Sequence, residues 1–432
     1  MGITKQGELN PRTEKYEFLG PPGALLIILG VPTIVFGLYF GCSENSGGCP
    51  PPLAVVNLGI IDAVSNISWW KSLWGTQACA AYLAWYSFTV IAWFTLPGDW
   101  IEGTLMRDGS RKKYKINAFS TFLLALGLVF GFIFSLGPKS FTFIYERYVG
   151  LMAASFTMSI AQSLYCYISS FRSNKLLALG GNTGNPIYDF FIGRELNPSI
   201  GSFDLKSFNE VRPGLILWAL IDISMACEQS VRRGGSISDS MALVVLFHIL
   251  YIGDCAYNES AIFTTMDITT EGFGFMLAVA ITWVPFVYSL QARYLVFNQI
   301  ELGPTWTAVI AMINLTGYWI FRSANNEKNG FRNGRNSKNL KYINTEQGTK
   351  LLVSGWWGLC RHPNYLGDLL MALAWSLPTK FNTPVTYFYV SFFLLLLIHR
   401  QRRDDEHCEK KYGADWRRYM QLVPYRIFPY IY

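Results

Sequence analysis

The sequence predicts an all-α, polytopic integral membrane protein of about ten transmembrane helices, with a cofactor-binding C-terminal half. Three observations point to this class. Charged residues make up 15% of the 432-residue chain, where soluble domains carry about 25%. Apolar runs near ~20 residues, the length that crosses a bilayer, recur throughout. Basic residues gather in loops that a ten-pass arrangement places on one side of the membrane.

The runs lie at 21–41, 74–96, 117–137, 148–171, 212–230, 238–257, 272–297, 303–321, 363–378 and 384–399. The polar segment Met1 to Glu17 ahead of the first has no signal-peptide core, so the first span itself is expected to direct insertion. The fifth and sixth runs carry Asp222, Glu228 and Asp254, residue types that seldom face lipid. The ninth is short, which fits a tilted, re-entrant or partly external helix. The partition expected is a short cytosolic N-terminus at 1–20, seven helices with a ligand pocket at 21–297, and a cofactor-binding region at 298–432.

Charge sets the orientation. Lys5, Arg12 and Lys15 precede the first span, Arg107, Arg111, Lys112, Lys113 and Lys115 follow the second, and Arg172, Lys175, Arg194 and Lys206 follow the fourth. Segment 322–350 and the tail after His399 are also basic, so both ends are expected in the cytosol. Arg232 and Arg233 fall on the other side, against the rule. The net charge of +7 follows from these loops, and no nucleic-acid partner is implied. Cys42 and Cys49 share a polar loop where an oxidising lumen would permit a disulfide. The other cysteines show no metal-ligand spacing. No internal repeat is visible. Ser323 to Lys350 reads as a polar loop that orders on a phosphate-bearing ligand.

Two clusters in the last fifth of the chain suggest a nucleotide site. Arg400 to Gly413 is a dense mixed-charge segment joined directly to an apolar run, too balanced in sign for a positive-inside anchor alone. Gly355-Trp356-Trp357-Gly358-Leu359-Cys360-Arg361-His362-Pro363-Asn364-Tyr365-Leu366-Gly367-Asp368 lies upstream. No P-loop is present, and Gly272-Phe273-Gly274 lacks the third glycine of a dinucleotide fingerprint, so a Rossmann unit is excluded.

Both clusters, with Gly184-Asn185-Pro186-Ile187-Tyr188-Asp189-Phe190-Phe191-Ile192-Gly193-Arg194-Glu195-Leu196-Asn197-Pro198 and the closing Val423 to Tyr432, resemble the sterol reductase family from Leu19 onward. Leu351 to Gly358 and Thr265 to Met276 are most similar to its delta(14)-sterol (C14) reductase branch and the related lamin-binding receptor. One departure is Ser199, where the family pattern has Arg. About twenty residues precede the first span, so the receptor's chromatin-binding role is not expected.

The resemblance implies NADPH as cofactor, a sterol as substrate and the lipid bilayer as environment. Matched residue by residue, it points to Lys328, Arg332, Leu352, Trp357, Asn364, Tyr365, Asp404, Cys408, Glu409, Lys410, Lys411, Tyr412 and Tyr419 as cofactor-binding. The residue types agree: cations suit phosphates, a Trp stacks on a flat ring, and a carboxylate accepts from hydroxyls or an amide. Lys328 and Arg332, four apart, share a face if that segment is helical.

Reducing a C14=C15 double bond calls for protonation at C15 and hydride delivery to C14, hence a proton donor in an apolar pocket. Tyr251, Asp254, Glu259 and Asp267 are the expected catalytic residues, and no catalytic metal is expected. The alternatives are reduction at C7 or C24(28), or a non-catalytic sterol-binding or lamina-anchoring role. The expected location is the endoplasmic reticulum membrane, with the nuclear envelope as a second site.

Overall fold

The computed structural model describes residues 9–43, 49, 73–336 and 338–432, the side chains of 283 and 284 excepted. Lys5, counted above among the basic residues, lies outside them. Among the helices are α1 (Gly20–Gly41), α2 (Thr76–Thr95), α3 (Ala118–Leu136), α4 (Tyr148–Ser169), α5 (Pro186–Ile192), α6 (Leu217–Arg232), α7 (Asp239–Tyr257), α8 (Phe275–Tyr288), α9 (Leu290–Phe297), α10 (Gly303–Arg332), α11 (Pro363–Ser376), α12 (Phe388–Tyr412) and α13 (Ala414–Leu422). Among the described residues, seven helical stretches are long and apolar enough to cross a membrane: α1 to α4, Leu205–Arg232, α7 and Phe275–Phe297. The last three expected spans, within α10, α11 and α12, are helical but fall outside that set.

The all-α expectation needs one correction. Among the described residues, three two-stranded antiparallel sheets occur. In the largest, β1 (Asp99–Leu105) pairs with β2 (Arg111–Ile116). Strand alternation puts Ile101, Tyr114 and Ile116 on one face, where they pack with Phe263 and Ile268. A second hairpin pairs β3 (Tyr342–Asn344) with β4 (Lys350–Leu352).

The expected loop from Ser323 is also corrected. α10 runs on to Arg332 before Asn333 and a left-handed Gly334 end it. That is a glycine stop of the usual kind. Its buried positions Ile310, Asn314, Gly317, Ile320 and Ala324 follow helical spacing.

The chain forms two compact units, Met1–Ile237 with Val245–Gln299, and Ser238–Val244 with Ile300–Tyr432. In the first, Pro213 interrupts regular helix, and Arg212–Ile216 forms a π-turn. A Cβ on Gly214 would lie 2.3 Å from the Ile281 carbonyl oxygen, so only glycine allows α8 this close. The Gly272-Phe273-Gly274 glycines serve packing: a Cβ on either would meet Gly193 backbone atoms at 1.9 and 2.3 Å. Within the Gly184 block, Asn185 caps α5 by accepting from Ile187 and Tyr188 N–H, and the Asp189 carboxylate accepts from Thr183 and Gly184 N–H. Ser199 meets the Lys112 ammonium, which also pairs with Asp204.

The cations opposing the charge rule are accounted for in part. Arg232 pairs with Glu228 one turn back at 2.7 Å and lies over the Tyr145 ring. Cys42 and Cys49 form a disulfide. Buried Arg293 donates to the Cys42 carbonyl at 2.6 Å between the rings of Tyr39 and Tyr148.

In the second unit, the Asp239 carboxylate accepts from Leu302 and Gly303 N–H at 2.8 Å each and so caps the start of α10. α10 crosses α11 through Gly317 and Gly367. A Cβ on Gly317 would lie 2.7 Å from the Gly367 carbonyl oxygen, and one on Gly367 would lie 2.6 Å from that of Gly317. Small residues at such a crossing let backbones approach in a membrane.

Candidate functional site

The last two turns of α10 and the charged half of α12 build the site in the second unit. Continuous helix puts Ala324, Lys328 and Arg332 along one face. The Trp357 indole is buried and donates Nε1–H to the Ala324 carbonyl at 2.8 Å. That bond fixes its ring under Lys328, whose Nζ stands 3.8 Å from the centroid. Gly355, at φ 66°, makes the turn before Trp356, because a Cβ there would overlap the Glu327 carboxylate that accepts from Trp356 N–H at 2.8 Å.

Burial pushes the Lys328 ammonium down to about 8; Arg332 pushes the same way, while Asp404 and Cys408 oppose it. Asp404 and Cys408 lie one turn apart on α12. Burial first, then Asp404, pushes the Cys408 thiol up to about 12, so it is a thiol at neutral pH. His362 stacks on Tyr365 with ring centroids 4.7 Å apart, and its Nε2 lies 3.9 Å from Asp404 Oδ2. Burial, then Lys328, Arg361 and Arg400, push His362 down to about 3, leaving it neutral.

Adjacent carboxylates have different surroundings. Asp404 is 39% exposed at the side chain, beside Lys328 and His362. Asp405 receives both bonds of an Arg361 Nη1 contact at 2.8 and 2.9 Å and a bond from Gln401. Arg361 is buried and also donates to the Pro424 carbonyl, and Arg361 N–H donates to the Tyr425 carbonyl. Asp405 thus ties the closing segment to the block around Cys360.

The remaining expected cofactor contacts divide by helix face. Cys408 and Tyr412 pack with Ile343, Trp416, Tyr419 and Val423, while Glu409, Lys410 and Lys411 are exposed. Leu352 is buried on β4, Tyr365 is half-buried, and Arg332 is exposed one turn beyond Lys328. Asn364, in the first turn of α11, has a buried Oδ1 with no hydrogen-bond partner among the described residues. An unpaired buried amide is costly. It fits a site completed by a ligand carrying an N–H or O–H donor. The two cations, with Trp357 holding Lys328, the acceptor carboxylate and the orphaned amide oxygen together suit a phosphorylated dinucleotide.

The first unit holds the expected catalytic residues. Tyr251 and Asp254 lie one turn apart on α7. The Tyr251 ring packs against Trp218 at 6.2 Å, and Asp254 Oδ1 accepts from Asn258 at 3.4 Å. Glu259 is buried in an ion pair with Arg212 at 2.8 Å, and its other oxygen accepts from Ala118 N–H at the start of α3. Arg212 also donates to Asn117 at 2.7 Å. Glu259 is therefore held in a brace between three segments. The Asp267 carbonyl accepts from the buried Lys206 ammonium at 2.6 Å, and its side chain is half-buried.

Residues 12–432 match the sequence model of the "Ergosterol biosynthesis ERG4/ERG24 family". The chain belongs to that family. It is 46% identical over 432 residues to "Delta(14)-sterol reductase erg24" of Schizosaccharomyces pombe, covering 99% of this chain and 100% of that one. It is 41% identical over 446 residues to "Delta(14)-sterol reductase ERG24" of Saccharomyces cerevisiae, covering 98% and 99%. It is 43% identical over 425 residues to "Delta(14)-sterol reductase LBR" of Gallus gallus, covering 96% of this chain and 64% of that one.

In this ERG4/ERG24 family member, sequence reasoning singled out neither His362 nor Arg361, although both stand in a quoted block. Their roles depend on α12, some forty residues away, and no local spacing signals them. Asp222 stands out in the sequence as an intramembrane acid, but its partner His248, 2.7 Å away on α7, carries no local spacing signal.

Proposed function

We propose that this chain is an NADPH-dependent delta(14)-sterol reductase, an oxidoreductase acting on a CH–CH bond. The observation that carries this reading is near end-to-end similarity, over 99% of this chain and 100% of the relative, to a protein named for that activity. The geometry around Lys328, Trp357, Asn364 and Asp404 supports the cofactor.

NADPH, when bound, supplies the hydride that completes the reduction. Lys328 and Arg332 hold phosphate, the Trp357 ring under Lys328 fixes that ammonium, and Asp404 and the Asn364 Oδ1 accept at polar edges. Tyr251 gives its phenolic proton to C15. Asp254 and Asp267 supply negative charge that steadies the cation developing at C14. Glu259, paired with Arg212, keeps that region rigid.

Arg332→Ala is expected to raise the KM for NADPH about tenfold while leaving that for NADH unchanged, because an exposed charge-assisted contact to a 2′-phosphate sits near the low end of roughly 1.5–3 kcal/mol. Equal rises for both cofactors would remove Arg332 from the 2′-phosphate.

Lys328 sets a pH limit. Its ammonium is charged below about pH 8 and neutral above, so phosphate binding is intact at pH 7 and weakens as pH rises through 8. The KM for NADPH should rise between pH 8 and 9.5 in wild type and stay flatter in Lys328→Arg, since guanidinium remains charged. A wild-type KM constant across that range contradicts the role.

We place the chain in the endoplasmic reticulum membrane and the adjoining nuclear envelope, with both ends cytosolic. Basic loops grouped on one side support this, as does a disulfide at the far end of α1, which suits an oxidising lumen. A tag after Tyr432 should be digested by protease in sealed microsomes; protection would overturn the topology.

A further inference from the structure

Asp222 and His248 have no task in the reading above, yet both are fully buried, with His248 Nδ1 2.7 Å from Asp222 Oδ2. An ionisable pair inside a membrane-spanning segment is costly to keep. Two further observations connect it to Tyr251. His248 and Tyr251 are three residues apart on α7 and so share a face. The Trp218 indole, one turn from Asp222 on α6, packs against both rings, with centroids 4.5 Å from His248 and 6.2 Å from Tyr251. Trp218 and Asp222 together therefore fix the imidazole, and Trp218 also bounds the Tyr251 ring.

We propose that Asp222 and His248 form a positioning pair that orients Tyr251 and restores its proton after each turnover. This rests on Tyr251 being the donor. The phenolic O–H bond breaks as the C15–H bond forms, leaving a phenolate. An imidazole can pass a proton on through one nitrogen while the other stays bonded to a carboxylate, here Asp222 at Nδ1. It gives a proton to the phenolate, breaking an N–H bond as the O–H bond forms, and the proton that replaces it enters ultimately from solvent. One solvent proton enters per turnover, and no further oxidant or reductant is required. Asp222 plays the part of a carboxylate that holds a catalytic imidazole in one tautomer.

The test is a double-variant cycle on the full chain in detergent or reconstituted membrane, with kcat and sterol KM measured for His248→Gln, Asp222→Asn, Tyr251→Phe and the His248→Gln/Tyr251→Phe double. Each single variant should lower kcat at least tenfold with KM within about twofold. The double should be no slower than Tyr251→Phe alone, because a pair that acts through the phenol has nothing to serve without it. Losses that multiply in the double, or a His248→Gln protein with full kcat beside an inactive Tyr251→Phe, would overturn the pair and leave the donor standing. Full activity in Tyr251→Phe would instead overturn the donor, and this proposal with it. If neither His248→Gln nor Asp222→Asn yields folded protein, the pair is a structural brace and the proposal falls.

Discussion

Asp404→Ala should lose about a hundredfold or more in kcat/KM while the protein inserts and folds as wild type does. The magnitude follows from losing more than one charge-assisted hydrogen bond to the cofactor, each worth roughly 1.5–3 kcal/mol. Normal folding follows from exposure, since 39% of the side chain is already accessible and its contact with His362 is long at 3.9 Å. Removing a partner of that kind changes stability little. A second signature comes with it. Asp404 holds the Lys328 ammonium up against burial, so its loss should move the alkaline rise in the NADPH KM to lower pH. A fully active Asp404→Ala would make the α12 charges a solvated surface network.

Asp405→Ala should fail in the opposite way. Its carboxylate meets an Arg361 guanidinium whose side chain is only 5% exposed. Breaking a buried pair by removing one partner costs about 3–5 kcal/mol, because the remaining charge stays desolvated. The closing segment is tied to Arg361 through Pro424 and Tyr425 and should loosen with it. Low folded yield and a lowered thermal midpoint in detergent are expected, with residual folded protein retaining cofactor affinity. A variant that melts with wild type but cannot bind NADPH would exchange the roles of the two residues.

That contrast shows where sequence reading reaches its limit. Adjacent residues on a helix point about 100° apart, and which of Asp404 and Asp405 faces a ligand depends on Arg361 and His362, far away in sequence. The membrane class and the helix positions were legible, because apolar runs and basic loops are local signals. The length of α10 was legible in part: Ile310, Asn314, Gly317, Ile320 and Ala324 step at helical spacing toward Lys328, but the polar composition after Ser323 reads as loop. The hairpins around Tyr114 and Ile343 were hidden inside charged connections. Gly272 and Gly274 were weighed as a nucleotide motif, whereas their close approach to Gly193 is visible only in three dimensions. Glu259 is legible as a candidate acid; its partner Arg212 stands at a π-turn that no spacing rule reveals.

The central claim is reduction of the C14=C15 bond. It is tested most directly by the sterol profile of a fungal strain lacking its own C14 reductase and expressing this chain, with Asp404→Ala alongside. The account predicts that Δ14-unsaturated sterols disappear with the wild-type chain and persist with the variant. Persistent Δ14 sterols in cells that contain the folded wild-type chain would contradict it, and loss of Δ7 or Δ24(28) unsaturation instead would move the activity to another position on the sterol.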